Sequence, residues 1–155
     1  MEQSSRRGMT GGCQCGAVRY RVDAAAPGEI AICHCRMCQK ASGNYFQAFA
    51  AVTPEQFRWK RGTPGAFRSS ELVERNFCRD CGSPLTYRPL DGGNIWVTVG
   101  SLDDRANVQP VRQYGIESQL LDLNALAALP GITTEQAHAP ELLGKLRSRQ
   151  HPDRD

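Results

Sequence analysis

The sequence predicts a mainly β, single-domain fold with one short helix. Three observations carry that expectation. Runs rich in aromatic and β-branched residues recur as far as Gly100 and are separated by turns bearing Gly, Pro or Asn. A single segment in that stretch, Arg36–Ser42, holds good helix formers instead of alternating residues. The length, 155 residues, suits one domain, and a chain of this mass, 17.1 kDa, buries about two thirds of its unfolded surface. A core is therefore attainable without disulfides.

Taken in order, residues 1–9 read as a flexible lead and Thr10-Gly11-Gly12 opens the folded part. Residues 17–22 alternate apolar and polar side chains, the pattern of a half-buried strand. A turn-like linker over 24–28 precedes a second strand at 29–33. The helix at Arg36–Ser42 stops at Gly43-Asn44, and residues 45–52 form the next strand. Phe57–Arg61 alternates before the turn Gly62-Thr63-Pro64-Gly65. Short strands follow at 66–69, Val73–Phe77, 85–88 and 94–99, and Asp91-Gly92-Gly93 makes the last two a hairpin. Phe46, Phe49, Phe57, Trp59, Phe67, Phe77 and Trp96 are most simply the core of these strands. Beyond Gly100 the signals weaken. Residues 122–129 suit a short helix ended by Pro130-Gly131, which places the domain at 10–132. Residues 133–155 read as a polar, partly disordered tail with an amphipathic turn at 141–146.

Composition bounds the function. Hydrophobic content of 40% and charged content of 23% exclude global disorder. No apolar stretch has the length of a membrane span, and the first eight residues lack the apolar segment of a secretory signal. The expected compartment is the cytoplasm, where thiols stay reduced. Formal charge is 19 − 16 = +3. With all seven cysteines as thiolates on two Zn²⁺ ions, the balance becomes +3 − 7 + 4 = 0. That removes the basic surplus a nucleic-acid partner requires. The 16 Arg and 3 Lys suit bidentate contact with a small anionic substrate.

The cysteines fall in three motifs: Cys13-Gln14-Cys15-Gly16, Cys33-His34-Cys35-Arg36-Met37-Cys38 and Cys78-Arg79-Asp80-Cys81-Gly82. Alternate residues of a strand share a face, so Cys13 and Cys15 can reach one ion. Cys78 and Cys81 form a tight knuckle in which Gly82, like Gly16, permits positive φ. Two such pairs make the four sulfurs of a closed, structural zinc site. Cys33, Cys35 and Cys38 remain, and three ligands with an open fourth position are the pattern of a catalytic zinc. A rival pairing, Cys35 and Cys38 with Cys78 and Cys81, would leave Cys13, Cys15 and Cys33 without partners. Disulfides are disfavoured by compartment and by the odd count. Ferredoxin-type clusters are disfavoured by the spacing. His34, between two strand ligands, is expected to point away from them. Arg36, Lys40 and Arg79 are candidate donors to sulfur or to a substrate carboxylate.

These motifs, together with the stretch Val99-Gly100-Ser101-Leu102-Asp103-Asp104, resemble the glutathione-dependent formaldehyde-activating (GFA) family, to which centromere protein V is related. The resemblance implies small antiparallel sheets of the β-tent zinc-binding type. It assigns Cys13, Cys15, Cys78 and Cys81 to the structural zinc and Cys33, Cys35 and Cys38 to the catalytic one. It implies a carbon–sulfur lyase that joins a small-molecule thiol such as glutathione to formaldehyde. The alternative is a zinc-stabilised, non-catalytic protein-binding module. A thiol sensor or metal buffer at the three-cysteine site is a further possibility.

Overall fold

The computed structural model describes residues 8–105 and 108–154; most of the lead, 1–7, lies outside them. Ten strands and four short helices follow one another along the described chain. The strands are β1 Met9–Gly12, β2 Arg19–Val22, β3 Ile30–Cys33, β4 Gln47–Val52, β5 Phe57–Arg61, β6 Gly65–Ser70, β7 Val73–Phe77, β8 Pro84–Pro89, β9 Ile95–Thr98 and β10 Arg112–Tyr114. The helices are α1 Arg36–Ser42, α2 Leu123–Ala127, α3 Thr134–Ala137 and α4 Pro140–Leu143. The mainly β reading holds, and β2 to β9, helix α1 and their turns fall close to where the sequence put them; β1 was not expected, and Met9, read as part of the flexible lead, is its first residue and pairs with Val22.

Two sheets result. One is three-stranded in the order β1-β2-β5, the other seven-stranded in the order β10-β3-β4-β9-β8-β7-β6. All pairings are antiparallel except β10 on β3, which is parallel. β10 was not foreseen because Arg112, Gln113 and Tyr114 are all exposed, so burial imposes no alternation on them. The core lies between the sheets: Val18, Tyr20, Val22 and Phe57 from one side pack with Ala50, Val52, Leu85 and Val97 from the other. Phe46, Phe77 and Trp96 are only half-buried and stand outside the core cluster, and Phe67 departs furthest from the core reading. It sits on the edge strand β6, 63% exposed, where no second layer covers the sheet.

One ion pair closes the two ends of the domain. Arg19, buried on β2, donates to both oxygens of Asp103, at 2.9 Å through Nη1, and Thr10 donates to the same carboxylate. Burial pushes the Asp103 carboxyl up, but the donors from Arg19 and Thr10 outweigh it and hold it below its usual range. A depressed carboxyl stabilises the fold above its unfolded pKa, and that contribution is lost as pH falls through the folded value. Asp103→Asn is therefore expected to cost about 3–5 kcal/mol near pH 7, because a buried arginine loses its carboxylate. The gap between variant and parent should narrow below about pH 4, near the unfolded carboxyl pKa. Denaturant melts of both proteins from pH 7 to pH 3 check this; a gap independent of pH would refute it.

After β10 the chain is largely solvent-exposed through α2, α3 and α4. Thr133 caps α3 in a capping box with Gln136. The chain then returns to the body: the His151 N–H donates to the Gln14 carbonyl at 2.7 Å.

Candidate metal centres

The first cluster joins the two sheets. Cys13 and Cys15 lie in the loop after β1, and Cys78 and Cys81 in the loop between β7 and β8. Each loop is closed by its glycine: the Gly16 N–H donates to the Cys13 carbonyl at 3.1 Å, and the Gly82 N–H to the Cys78 carbonyl at 3.0 Å. Both glycines have positive φ, 78° and 76°. The four sulfurs lie within 4.8 Å of one another, with Cys13 to Cys15 at 3.5 Å and Cys15 to Cys78 at 3.8 Å. A tetrahedral ion with metal–sulfur bonds of about 2.3 Å requires sulfurs about 3.8 Å apart, so the donor set fits. The Val18 N–H donates to the Cys13 sulfur at 3.2 Å, as suits a thiolate. Burial raises the Cys81 thiol, but the Ser83 hydroxyl at 3.2 Å and neighbouring backbone donors outweigh it and bring the thiol down to about 6.

The second cluster is Cys33, Cys35 and Cys38, whose sulfurs also lie within 4.8 Å of one another. Cys33 ends β3, Cys35 is the residue before α1, and Cys38 sits in its first turn. The switch from strand to helix turns three sulfurs onto one point. The cysteines are thus grouped as four and three, and the ribbon-like pairing of Cys35 and Cys38 with Cys78 and Cys81 does not occur.

The loop is braced from β10 onward. His34 donates its backbone N–H to Tyr114, and its buried ring pairs with Gln113 at 2.8 Å. It stands apart from the sulfurs, as the alternation required. Gln39 donates to the carbonyls of His34 and Ser118 at 2.7 and 2.9 Å. Gly115, at φ 64°, lies so close that a Cβ there would stand 2.8 Å from the Cys35 nitrogen.

The arginine at the sulfurs was missed in sequence. Arg36 and Arg79 are exposed, as is Lys40. Instead, buried Arg75 on β7 donates from Nη2 to Cys38 Sγ at 3.3 Å and from Nε to Ser69 at 3.1 Å. Its guanidinium carbon lies 5.0 Å from the Tyr87 ring centre, a cation–π contact. The hydrogen bond from Cys33 leads in bringing the Cys38 thiol down to about 5; burial opposes it, and Arg75 adds to the lowering. Cys33 is pushed up by that same hydrogen bond.

A cavity of about 370 Å³ opens beside this cluster, walled by Phe49, Tyr87, Trp96 and Tyr114 with Arg75 and Met37. That is within the usual size of a small-molecule site.

Two sheets joined at a four-thiol knuckle, with three further thiols at an aromatic cavity, define a protein with two cysteine clusters that could each hold a metal ion. The chain belongs to a particular family of that class: the model of the glutathione-dependent formaldehyde-activating enzyme family, GFA, matches residues 8–117. An uncharacterized lyase of Schizosaccharomyces pombe is 30% identical over 84 residues, which are 54% of this chain and 60% of that protein. The chain thus matches about three fifths of that relative's length. A Rhodobacter sphaeroides protein of known crystal structure shares the fold with a TM-score of 0.55 at 21% identity, covering 68% of this chain and 99% of its own. No helix among the described residues is long and apolar enough to cross a membrane.

Proposed function

We propose that the protein is a zinc-dependent carbon–sulfur lyase that makes or breaks the adduct of a small thiol, glutathione being the family's, with an aldehyde such as formaldehyde. Cys13, Cys15, Cys78 and Cys81 would hold a structural zinc, and Cys33, Cys35 and Cys38 a catalytic one. The observation that carries this reading is the contrast between the clusters: four sulfurs closed on themselves, and three beside a cavity. Held by Cys33, Cys35 and Cys38, a zinc ion would supply the Lewis acidity that favours the thiolate form of a substrate thiol near neutral pH.

The chain's residues do the rest. Three thiolates and a divalent ion carry one net negative charge, and Arg75, fixed by Ser69 and the Tyr87 ring, offsets it. The aromatic walls hold the aldehyde beside the sulfur and limit water. In the forward direction the sulfur–carbon bond forms, the carbonyl π pair moves to oxygen, and that oxygen takes a proton. Tyr87 is the wall residue assigned to supply it: a phenol is protonated at neutral pH, and burial, ahead of its other influences, pushes this one further up. The tyrosine is recharged by the proton the thiol released, and the reverse reaction retraces these steps.

Tyr87→Phe keeps the ring under Arg75 and removes the proton, so turnover should fall about 100-fold, the lower end for general acid catalysis, with thiol affinity unchanged. Equal turnover in the two proteins would exclude that role. The proposal as a whole is tested on cobalt-substituted protein titrated with glutathione. A saturable change in the sulfur-to-metal bands is expected as a fourth sulfur arrives. An unchanged spectrum, with both ions already four-coordinate, would favour the protein-binding module.

A further inference from the structure

The register of the seven-stranded sheet sets a diagonal row of side chains, spread over three successive rungs, across one face beside the three cysteines. Tyr114 on β10 pairs with Cys33 on β3, and Ala31 of the same strand with Phe49 on β4. Trp96 on β9 pairs with Tyr87 on β8, and Tyr87 with Arg75 on β7. All of these line the cavity. The rings stand in two pairs, Trp96 edge-on to Tyr114 at 6.4 Å and Phe49 tilted against Tyr87 at 5.9 Å. Two apolar members of the rim, Met37 and Tyr114, are 52% and 42% exposed, so an apolar occupant would take surface of both kinds out of water.

Charge inside the cavity is scarce. Among the described residues lining it, Arg75 is the one side chain of fixed charge apart from the thiols, and it is already held by Cys38, Ser69 and the Tyr87 ring. Behind the wall residue Tyr114, Arg112 pairs with Glu29 at 3.2 Å, and Glu29 also accepts from Tyr114 at 2.9 Å. Glutathione carries two carboxylates and an ammonium, and burying such groups without ionic partners is costly.

From this row we infer that the substrate of the three-cysteine site is a thiol, or thiol–aldehyde adduct, whose body next to sulfur is aromatic or branched aliphatic rather than a charged peptide. The inference rests on the open thiol site proposed above and narrows what enters it. The bond chemistry is unchanged; the rings select the body by stacking and burial.

The test is calorimetric titration of the zinc-loaded protein with phenylmethanethiol and, separately, with glutathione. One-to-one binding of phenylmethanethiol at least about 10-fold tighter than glutathione is expected from burying one ring. Trp96→Ala should remove most of that advantage and leave the affinity for 2-mercaptoethanol unchanged. Tyr114→Ala, at the exposed rim, repeats the comparison should Trp96→Ala lose its metal. Glutathione binding as tightly or more tightly would overturn the substrate class and leave the thiol-site reading standing. An advantage that survives both substitutions would also overturn it. If neither thiol saturates the protein, the thiol-site reading itself falls.

Discussion

Cys81→Ser is expected to abolish the folded domain. Cys13 and Cys78 are 3% and 1% exposed and belong to the core cluster with Tyr20, Leu85 and Val97. Their loops come from different sheets, so the proposed zinc ties β1 and β2 to the β7–β8 hairpin. Structural zinc sites of this kind contribute about 10–16 kcal/mol of apparent binding free energy at neutral pH, against about 5–15 kcal/mol for the stability of an ordinary domain. Serine cannot replace the thiolate as a ligand of comparable strength, and the remaining buried thiols would then repel one another or take up protons. Circular dichroism should show loss of β structure at 25 °C, and metal analysis should find the first zinc absent. A folded variant melting near the parent would mean that hydrophobic packing alone holds the sheets and that this cluster is not structural.

Much of this architecture is local and therefore legible in sequence. Alternation marks β2, β5 and β7, good helix formers and Gly43 bound α1, and the cysteine spacings name both clusters. What escaped the sequence is of another kind. β10 is three exposed residues, so burial imposes no alternation on them, and the partners they hold, His34 and Glu29, are 79 to 85 residues away in sequence. Arg75 reads as a surface charge, yet it shares strand parity with buried Val73. An arginine on the apolar face of a strand needs an acceptor, and Arg75 finds the Cys38 sulfur at 3.3 Å and the Ser69 hydroxyl; that parity was the available signal. The diagonal of aromatic side chains on β10, β4, β9 and β8 is a property of register, which no single segment contains. The contact of His151 with the knuckle is likewise long-range: its ring packs on Gly16 and its N–H reaches Gln14 from the far end of the chain.

The opposite outcome is expected for Cys35→Ser: the fold survives and the chemistry is lost. Cys35 is the residue before α1, where serine is a favoured helix cap, and it is only partly buried. The loop around it is held by other groups, the Tyr114 carbonyl on the His34 N–H, Gln39 on two carbonyls, and Gly115 packed against the Cys35 backbone. None of these needs the sulfur. Bound zinc should fall from two per chain to one. Turnover should drop by more than the about 10–100-fold typical of losing a contact one shell further from a metal, since here a ligand itself is gone. The melting temperature should stay within a few degrees of the parent, because the four-cysteine knuckle and the core are untouched. The pair of variants decides the division of labour. If Cys35→Ser unfolds as Cys81→Ser does, both clusters are structural and the enzyme reading fails. If Cys35→Ser keeps its second zinc and its turnover, the reacting sulfur is held elsewhere than between Cys33, Cys35 and Cys38.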